Sequence, residues 1–292
     1  MKSLLLITLI IIGVYMVCFK QGRKQLEPQK LIPKYVFGNE IFGVEKFKGM
    51  VNLAVKGDIF YVVDSNDNCI QVLKINTDGS LTPRFTFGKE KKGLGEIWGI
   101  NIGGGGLSVK DDFLYVADIG NSRIQVLKIN LDGSLTPRFS FGKEGDRLGE
   151  FGVIKGDFLA GLPAPLSFSV KGNFLYVADI GNSWIQVLKI NLDGSLMPIF
   201  SFGKEGKGLG DFNIPLSLTT KGDFLYVADA GNSRIQVLKI NLDGSLTPRF
   251  SFGKKGKELG EFSMIESLII YDNYLYVADT GNNRIQVLEI KY

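Results

Sequence analysis

An aspartate, a Gly-Asn pair and an arginine recur along this chain, and they carry most of the chemistry it offers. The aspartate closing each "YVAD" or "YVVD" is Asp64, Asp118, Asp179, Asp229 or Asp279. Five residues on stands Arg123, Arg234 or Arg284, replaced by Cys69 in the first copy and Trp184 in the third. Clustered Asp and Asn oxygens are the ligands calcium prefers. An Asp–Arg pair can instead fix geometry between structural units, or offer a guanidinium to a partner. The chain has no histidine. That removes His-based acid–base catalysis, Ser-His triads and His-ligated zinc. The glycine run Gly103–Gly106 lacks the following Lys-Ser/Thr of a phosphate-binding loop.

Each candidate has a plainer reading. Asn121, Asn182, Asn232 and Asn282 follow glycine and serve to hold a turn, so no metal, cofactor or catalytic residue is assigned. Two of the five copies lack the arginine, so the pairs read first as structural or solvated. On that reading Arg123, Arg234 and Arg284 stay available as rim contacts for a partner. Trp184 is the sharper binding candidate, since an exposed tryptophan anchors partners; packing on a neighbouring unit is the alternative. Cys69 has no base beside it in sequence and reads as a tolerated replacement rather than a reactive thiol.

The elements that position these residues come from a repeat. The aspartates are separated by 54, 61, 50 and 50 residues, a period typical of propellers and solenoids. Each copy holds four short β-rich runs. In the fourth they are "PLSLTTKG", "DFLYVADAG", "RIQVLKINLDG" and "SLTPRFSFGK", divided by Lys-Gly-Asp, Gly-Asn and Asp-Gly. Such dipeptides accept the positive φ that tight antiparallel turns require. Apolar residues on both faces of "RIQVLKI" suit a sheet covered on both sides. Pro33, Pro83, Pro137, Pro198 and Pro248 begin the fourth run and mark it as an outermost strand.

The ends of the chain complement each other. The fifth copy stops after its third run, while "LIPKYVFGNE" (residues 31–40) matches "LTPRFSFGKE" (residues 135–144). The N-terminus is therefore expected to supply the outer strand of the last blade, closing the ring without a loose edge. The expected fold is an all-β, five-bladed propeller of four-stranded blades. The loops after the second and fourth strands leave it on one side. Irregular connectors within residues 89–106 and 143–165 break the symmetry of that side, where a partner site is expected.

"YVADIGNSRIQVL", "YVADAGNSRIQVL" and "YVADTGNNRIQVL" resemble the NHL repeat, whose hallmark is an Asp, a Gly-Asn pair and an Arg-Ile. The opening "GKGLGDFNIPLSL" is similar to that repeat's start. The resemblance spans residues 31–292. It implies a scaffold or sensor domain, and in some members RNA binding; propeller lyases of similar fold use histidine-bound metal, which this chain cannot build.

Composition fits a globular domain: 292 residues, 45% hydrophobic and 22% charged. The net charge of +4 belongs to the N-terminus. Lys2, Lys20, Arg23 and Lys24 lie in the first 24 residues, which hold no acid, leaving 30 basic against 30 acidic residues beyond. A neutral bulk argues against nucleic acid as a partner. The stretch from Leu4 to Phe19 is 16 apolar residues, just short of a spanning helix. Residues 1–24 are expected to form an uncleaved membrane anchor, with a lipoprotein or secretory signal as alternatives. Residues 25–30 read as a linker, and the propeller is expected outside the cytoplasm. A protein or glycan is the expected ligand, and a metal-dependent lactonase- or lyase-like activity is the competing reading.

Overall fold

Glycine and aspartate at the corners, with apolar runs of six or seven residues between them, make the chain a string of hairpins. The computed structural model describes residues 4–9, 14–19, 50–64, 67–88, 93–97, 106–153 and 167–291. Strands β3 (Met50–Lys56), β4 (Ile59–Asp64), β5 (Cys69–Ile75) and β6 (Leu81–Phe87) form one antiparallel sheet. The second sheet holds β7 (Leu107–Lys110), β8 (Phe113–Asp118), β9 (Arg123–Ile129) and β10 (Leu135–Phe141). The third has β11 (Ser167–Lys171), β12 (Phe174–Asp179), β13 (Trp184–Ile190) and β14 (Leu196–Phe202). The fourth has β15 (Pro215–Lys221), β16 (Phe224–Asp229), β17 (Arg234–Ile240) and β18 (Leu246–Phe252). The fifth shows three strands, β19 (Ile265–Tyr271), β20 (Tyr274–Asp279) and β21 (Arg284–Glu289). The first strands of successive sheets lie beside one another in the order β3, β7, β11, β15, β19. This is a five-bladed β-propeller.

Register repeats with the sequence. In every blade the aspartate ending the second strand pairs with the first residue of the third, as Asp229 does with Arg234 and Asp64 with Cys69. The outer-strand proline faces a leucine at a bulge, Pro248 opposite Leu238 and Pro137 opposite Leu127. The turn glycines take positive φ as expected, Gly222 at 56° and Gly244 at 86°.

Packing between blades also repeats. Tyr115, Ala117, Ile124 and Val126 of the second blade meet Leu175, Val177, Leu188 and Ile190 of the third. Tyr176, Ala178, Ile185 and Val187 meet Leu225, Val227, Leu238 and Ile240 in the same way. Each such face carries a buried tyrosine whose hydroxyl donates to a turn carbonyl of the next blade. Tyr61 reaches Gly133 O at 3.2 Å, Tyr115 Gly194 O at 3.1 Å and Tyr176 Gly244 O at 3.1 Å. Burial pushes the Tyr61 phenol up to about 12 and the other two higher still, so all three stay neutral donors.

The fifth blade departs from this pattern. Ile285 and Val287 are 44% and 50% exposed, whereas Ile235 and Val237, their counterparts in the fourth blade, are 1% and 4% exposed. The expected closing strand, residues 31–40, lies outside the described residues. In the first blade Phe60, Val62 and Leu73 are buried in a cluster with Leu53, Val55, Ile75 and Leu81 of the same sheet.

In the N-terminal run β1 (Leu4–Leu9) and β2 (Val14–Phe19) pair antiparallel, Leu4 opposite Phe19. Ile7, Thr8, Val14 and Val17 are β-branched and favour extended backbone. Among the described residues no helix is long and apolar enough to cross a membrane.

Tyr115→Phe should cost about 1–2 kcal/mol, because Gly194 O loses its buried donor. Urea unfolding would read this as a lower midpoint at unchanged slope.

Candidate functional site on the connector face

The turns after second strands and the connectors between blades share one face, as the strand order requires. The fourth blade shows how this face is built. Asp229 is fully buried at the end of β16. Its Oδ2 accepts from Arg234 Nε at 2.7 Å, Gln236 Nε2 at 3.0 Å and Asn232 Nδ2 at 3.0 Å. Its Oδ1 accepts from the backbone N–H of Asn213 at 2.7 Å and from Asn232 at 3.0 Å. A carboxylate offers about four lone-pair positions. Asp229 is therefore saturated and has nothing left for a metal ion.

Four of the five N–H donors of Arg234 are used as well. Arg234 Nη1 donates to Lys207 O at 2.8 Å, and Nη2 to Gly208 O at 2.7 Å and Asp211 O at 2.9 Å. Arg284 repeats this on Lys257 O, Glu258 O and Glu261 O, and binds Asp279 Oδ2 at 2.8 Å. Arg123 binds Asp118 at 2.6 Å and reaches Gly93 O and Glu96 O. The structure thus sets all three guanidiniums as ties between a blade and the connector leading into it.

Sequence reasoning missed the glutamine. Gln71, Gln125, Gln186, Gln236 and Gln286 occupy the same place in all five copies, inside an otherwise apolar strand. Gln236 Oε1 accepts from Gly210 N at 2.8 Å while its Nε2 bridges Asp211 O and Asp229. One buried side chain thus holds both a connector and the aspartate. A polar residue kept in five internal copies, where the arginine is kept in three, was the available signal.

The Gly-Asn pair also works differently from expectation. Positive φ falls on the next residue, Ser122 at 50° and Ser233 at 52°. The glycine is needed for close approach instead: a Cβ on Gly231 would meet Asn213 O at 2.8 Å. The asparagine then ties the turn to the connector, Asn232 Nδ2 donating to Gly206 O at 2.8 Å.

The third blade carries the variation. Trp184 Nε1 takes the place of the arginine Nε and donates to Asp179 Oδ2 at 2.7 Å. Its partly buried ring supplies no positive charge and has no counterpart of the arginine Nη donors. Burial raises the Asp179 carboxyl above the usual range, against the opposing bonds from Asn182, Gln186, Gly152 and Trp184. At Asp279, burial also works against the charge, but bonds from Asn282, Ser263, Arg284 and Gln286 outweigh it and hold the carboxyl low.

Three of the connectors fold into the same small loop. Phe212 N donates to Lys204 O and Gly206 N to Phe212 O, and Phe212 sits edge-on to Phe202 with centroids 6.2 Å apart. The loop's leucine points outward: Leu94, Leu148, Leu209 and Leu259 are 50%, 43%, 51% and 85% exposed. Among the described connector residues these leucines are the exposed apolar side chains, with the partly buried Trp184 on the turn of the third blade. Much of the irregular stretches 89–106 and 143–165 lies outside the described residues. Cys69 is buried and free of any disulfide. Among the described residues no group of three or more Cys, Asp or Glu is placed to hold a metal.

On the opposite face a cleft of about 970 Å³ opens between the turns of the first two blades, lined by Lys56, Asp58, Ile59, Tyr61, Asp112 and Lys128. Ile59 stands here where later blades have Phe113, Phe174 and Phe224. Asp112 bonds both Lys56 and Lys128, which lowers its carboxyl to about 2.

Four of the five blades carry LVIVD repeats. The matched segments are residues 105–123, 166–186, 216–234 and 264–286. Each LVIVD segment runs from the inner strand to the start of the third and contains the buried aspartate. No curated protein matches the sequence significantly. Solved structures of similar fold include a protein from Lactobacillus plantarum, with TM-score 0.61 and 18% identity over 82% of this chain and 66% of that one. A functionally unknown protein from Desulfotomaculum acetoxidans gives TM-score 0.58 and 16% identity over 91% and 74%. A candidate 6-phosphogluconolactonase from Bacteroides uniformis gives 0.55 and 15% over 84% and 81%. At these identities the likeness concerns fold alone. This chain spans just under two thirds of the Lactobacillus protein.

Trp184→Arg should restore the tie seen in the other LVIVD blades. A raised carboxyl pKa means that the folded state holds the proton more tightly than the unfolded chain. The stability it contributes is present below the ordinary carboxylate pKa and lost as pH rises through the raised value. The substitution should therefore stabilise more at pH 7 than at pH 4, by about 1–2 kcal/mol at neutrality. Thermal unfolding at the two pH values measures the difference.

Proposed function

We propose that this chain is a non-catalytic, NHL-like propeller that binds a protein through its connector face and is tethered to a membrane, outside the cytoplasm, by its apolar N-terminal stretch. One observation carries the reading. The buried polar groups beneath that face are occupied internally, as at Asp229 and Arg234, while the connectors turn Leu94, Leu148, Leu209 and Leu259 outward among exposed charges such as Lys204, Lys207 and Lys254. Apolar and aromatic anchors on a rigid scaffold suit a protein ligand better than a small polar substrate, with a glycan as the alternative. A bulk charge balanced at 30 against 30 disfavours RNA.

Closure by the N-terminus belongs to the same proposal. It is supported by the match of residues 31–40 to the outer strand and by the three-stranded fifth blade. Applying the register of β17 with β18, where Val237 faces Phe250, sets Tyr35 opposite Val287. A Tyr35→Cys/Val287→Cys variant is expected to form a disulfide within one chain under mild oxidation, read by non-reducing electrophoresis. Two free thiols at those positions would end the closure proposal.

The enzyme reading has one support, the fold shared with the candidate lactonase at TM-score 0.55. Elemental analysis and lactone hydrolysis separate the two. The binding reading expects no stoichiometric ion and no turnover. It also expects the proteins captured by the wild type to be lost when the four connector leucines become serine. Bound metal with metal-dependent hydrolysis would overturn it.

A further inference from the structure

Asp179 and Asp279 are both fully buried at the ends of second strands, and their hydrogen bonds divide in the same way. Asp279 Oδ1 takes the backbone N–H of Ser263 at 2.9 Å, and its Oδ2 takes Asn282, Arg284 and Gln286 at 2.9, 2.8 and 3.1 Å. Asp179 Oδ1 takes the backbone N–H of Gly152 at 3.0 Å, and its Oδ2 takes Asn182, Trp184 and Gln186 at 2.9, 2.7 and 2.9 Å. The donors match in kind except at one place, where a cation gives way to a neutral indole.

The third connector is also held by less. Arg234 and Arg284 each reach three connector carbonyls through their Nη groups, which indole lacks. In the fourth and fifth blades backbone bonds lace connector to turn: Gly231 N to Asn213 O at 2.8 Å, Ala230 N to Ile214 O at 3.1 Å and Thr280 N to Met264 O at 2.9 Å. Among the described residues no such bond joins Ile180 or Gly181 to Gly152 or Val153. The turns Ile119–Asn121, Ala230–Asn232 and Thr280–Asn282 close as short 3-10 helices, and the described third turn does not. The third connector keeps Asn182 on Gly145 O at 3.0 Å, Gln186 on Gly149 N at 2.9 Å and on Glu150 O, and Asp179 on Gly152.

A proton on Oδ2 of Asp179 would oppose three donors, and on Oδ1 only the N–H of Gly152. It therefore settles on Oδ1, and the bond it displaces is one that holds the connector. Among the described residues no charged side chain bonds Asp179. The connector's Lys143, Glu144, Asp146 and Arg147 are exposed, and Glu150 turns onto Lys143 at 3.1 Å. On the flanking blades Arg123 and Arg234 are held by their own aspartates. Burial raises the Asp179 carboxyl, and its neutral donors do not offset it. The folded chain thus takes this proton more readily than the unfolded one, so acid does not unfold the blade through this group. It exchanges one connector bond for relief of a buried charge.

We infer that Asp179 makes the third connector an acid-released clasp: its protonation frees Gly152 and lets residues 143–153 lift from the blade, changing the connector face around Leu148 and Trp184 while the fold stays intact. The inference names a regulation of that face and rests on the binding reading only for what the freed loop meets.

Amide hydrogen exchange of the full chain, corrected for the intrinsic effect of pH, tests this from neutrality down to about pH 4, the ordinary carboxylate range. The peptide covering residues 143–153 should lose protection about five- to tenfold, the worth of one hydrogen bond. Its midpoint should lie above the ordinary aspartate pKa, while the matching fifth-blade peptide, residues 254–264, keeps its protection. Trp184→Arg should hold the third connector through the same range. Trp184→Phe, which removes a donor and adds no charge, should move the release to higher pH. Circular dichroism should stay constant throughout. Protection that does not respond to pH, falls equally at both connectors, or falls unaltered in Trp184→Arg overturns the inference, as does loss of circular dichroism over that range. No partner is present in the measurement, so each of these outcomes leaves the binding reading standing.

Discussion

A buried carboxylate at the end of the second strand is the constraint on which each blade depends. Removing a charge from water is costly, and the cost is met only when hydrogen bonds surround it. At Asp229 they come from four places: a turn asparagine, a strand glutamine, an arginine and the connector backbone at Asn213. These groups lie on separate stretches of chain, so the charge is satisfied only when turn, strand and connector are all in place. The aspartate thereby makes the blade and its entry loop a single cooperative unit. Apolar contacts between faces supply the bulk of the burial, but they are less directional and would tolerate a slipped connector. The carboxylate would not.

The same logic explains which positions vary. Arg234 and Arg284 each add three carbonyl contacts, and Arg123 two, to a cluster that the glutamine and asparagine already hold together. The arginine can therefore be exchanged for Trp184, whose Nε1 keeps one bond, or for Cys69, where Gln71 still reaches Asp64 at 3.2 Å. The glutamine grips both the connector and the aspartate and has no substitute in any copy. Exchange at the arginine position therefore alters how firmly a connector is held without dismantling the blade.

Much of this architecture could be read from the letters. Turn dipeptides, apolar runs and outer-strand prolines predicted the strands because local chemistry determines them. Five copies set the blade number for the same reason. The polar cluster was less legible. The separation of Asp from Arg along the chain pointed to a pair across a hairpin. It could not reveal that the connector, more than 20 residues earlier, would occupy the guanidinium, since that contact exists only once the blade is assembled. The Gly-Asn pair was legible as a turn, yet positive φ belongs to Ser233, and Gly231 is required by a neighbour distant in sequence. At the N-terminus, hydropathy alone did not distinguish a helix from paired strands, and β-branched residues favoured the strands.

The near-identity of β12–β14 and β16–β18, with matching registers throughout, leaves the folding chain poorly able to tell one blade from the next. An outer strand that completes its own sheet has the sequence to complete a neighbour's almost as well. What distinguishes correct from shifted pairing is then the span of chain between sheets, and here the spans are unequal. The longer stretches after the first and second blades act as punctuation in an otherwise monotonous text, so that a strand pairing one blade too early or too late finds its connector of the wrong length.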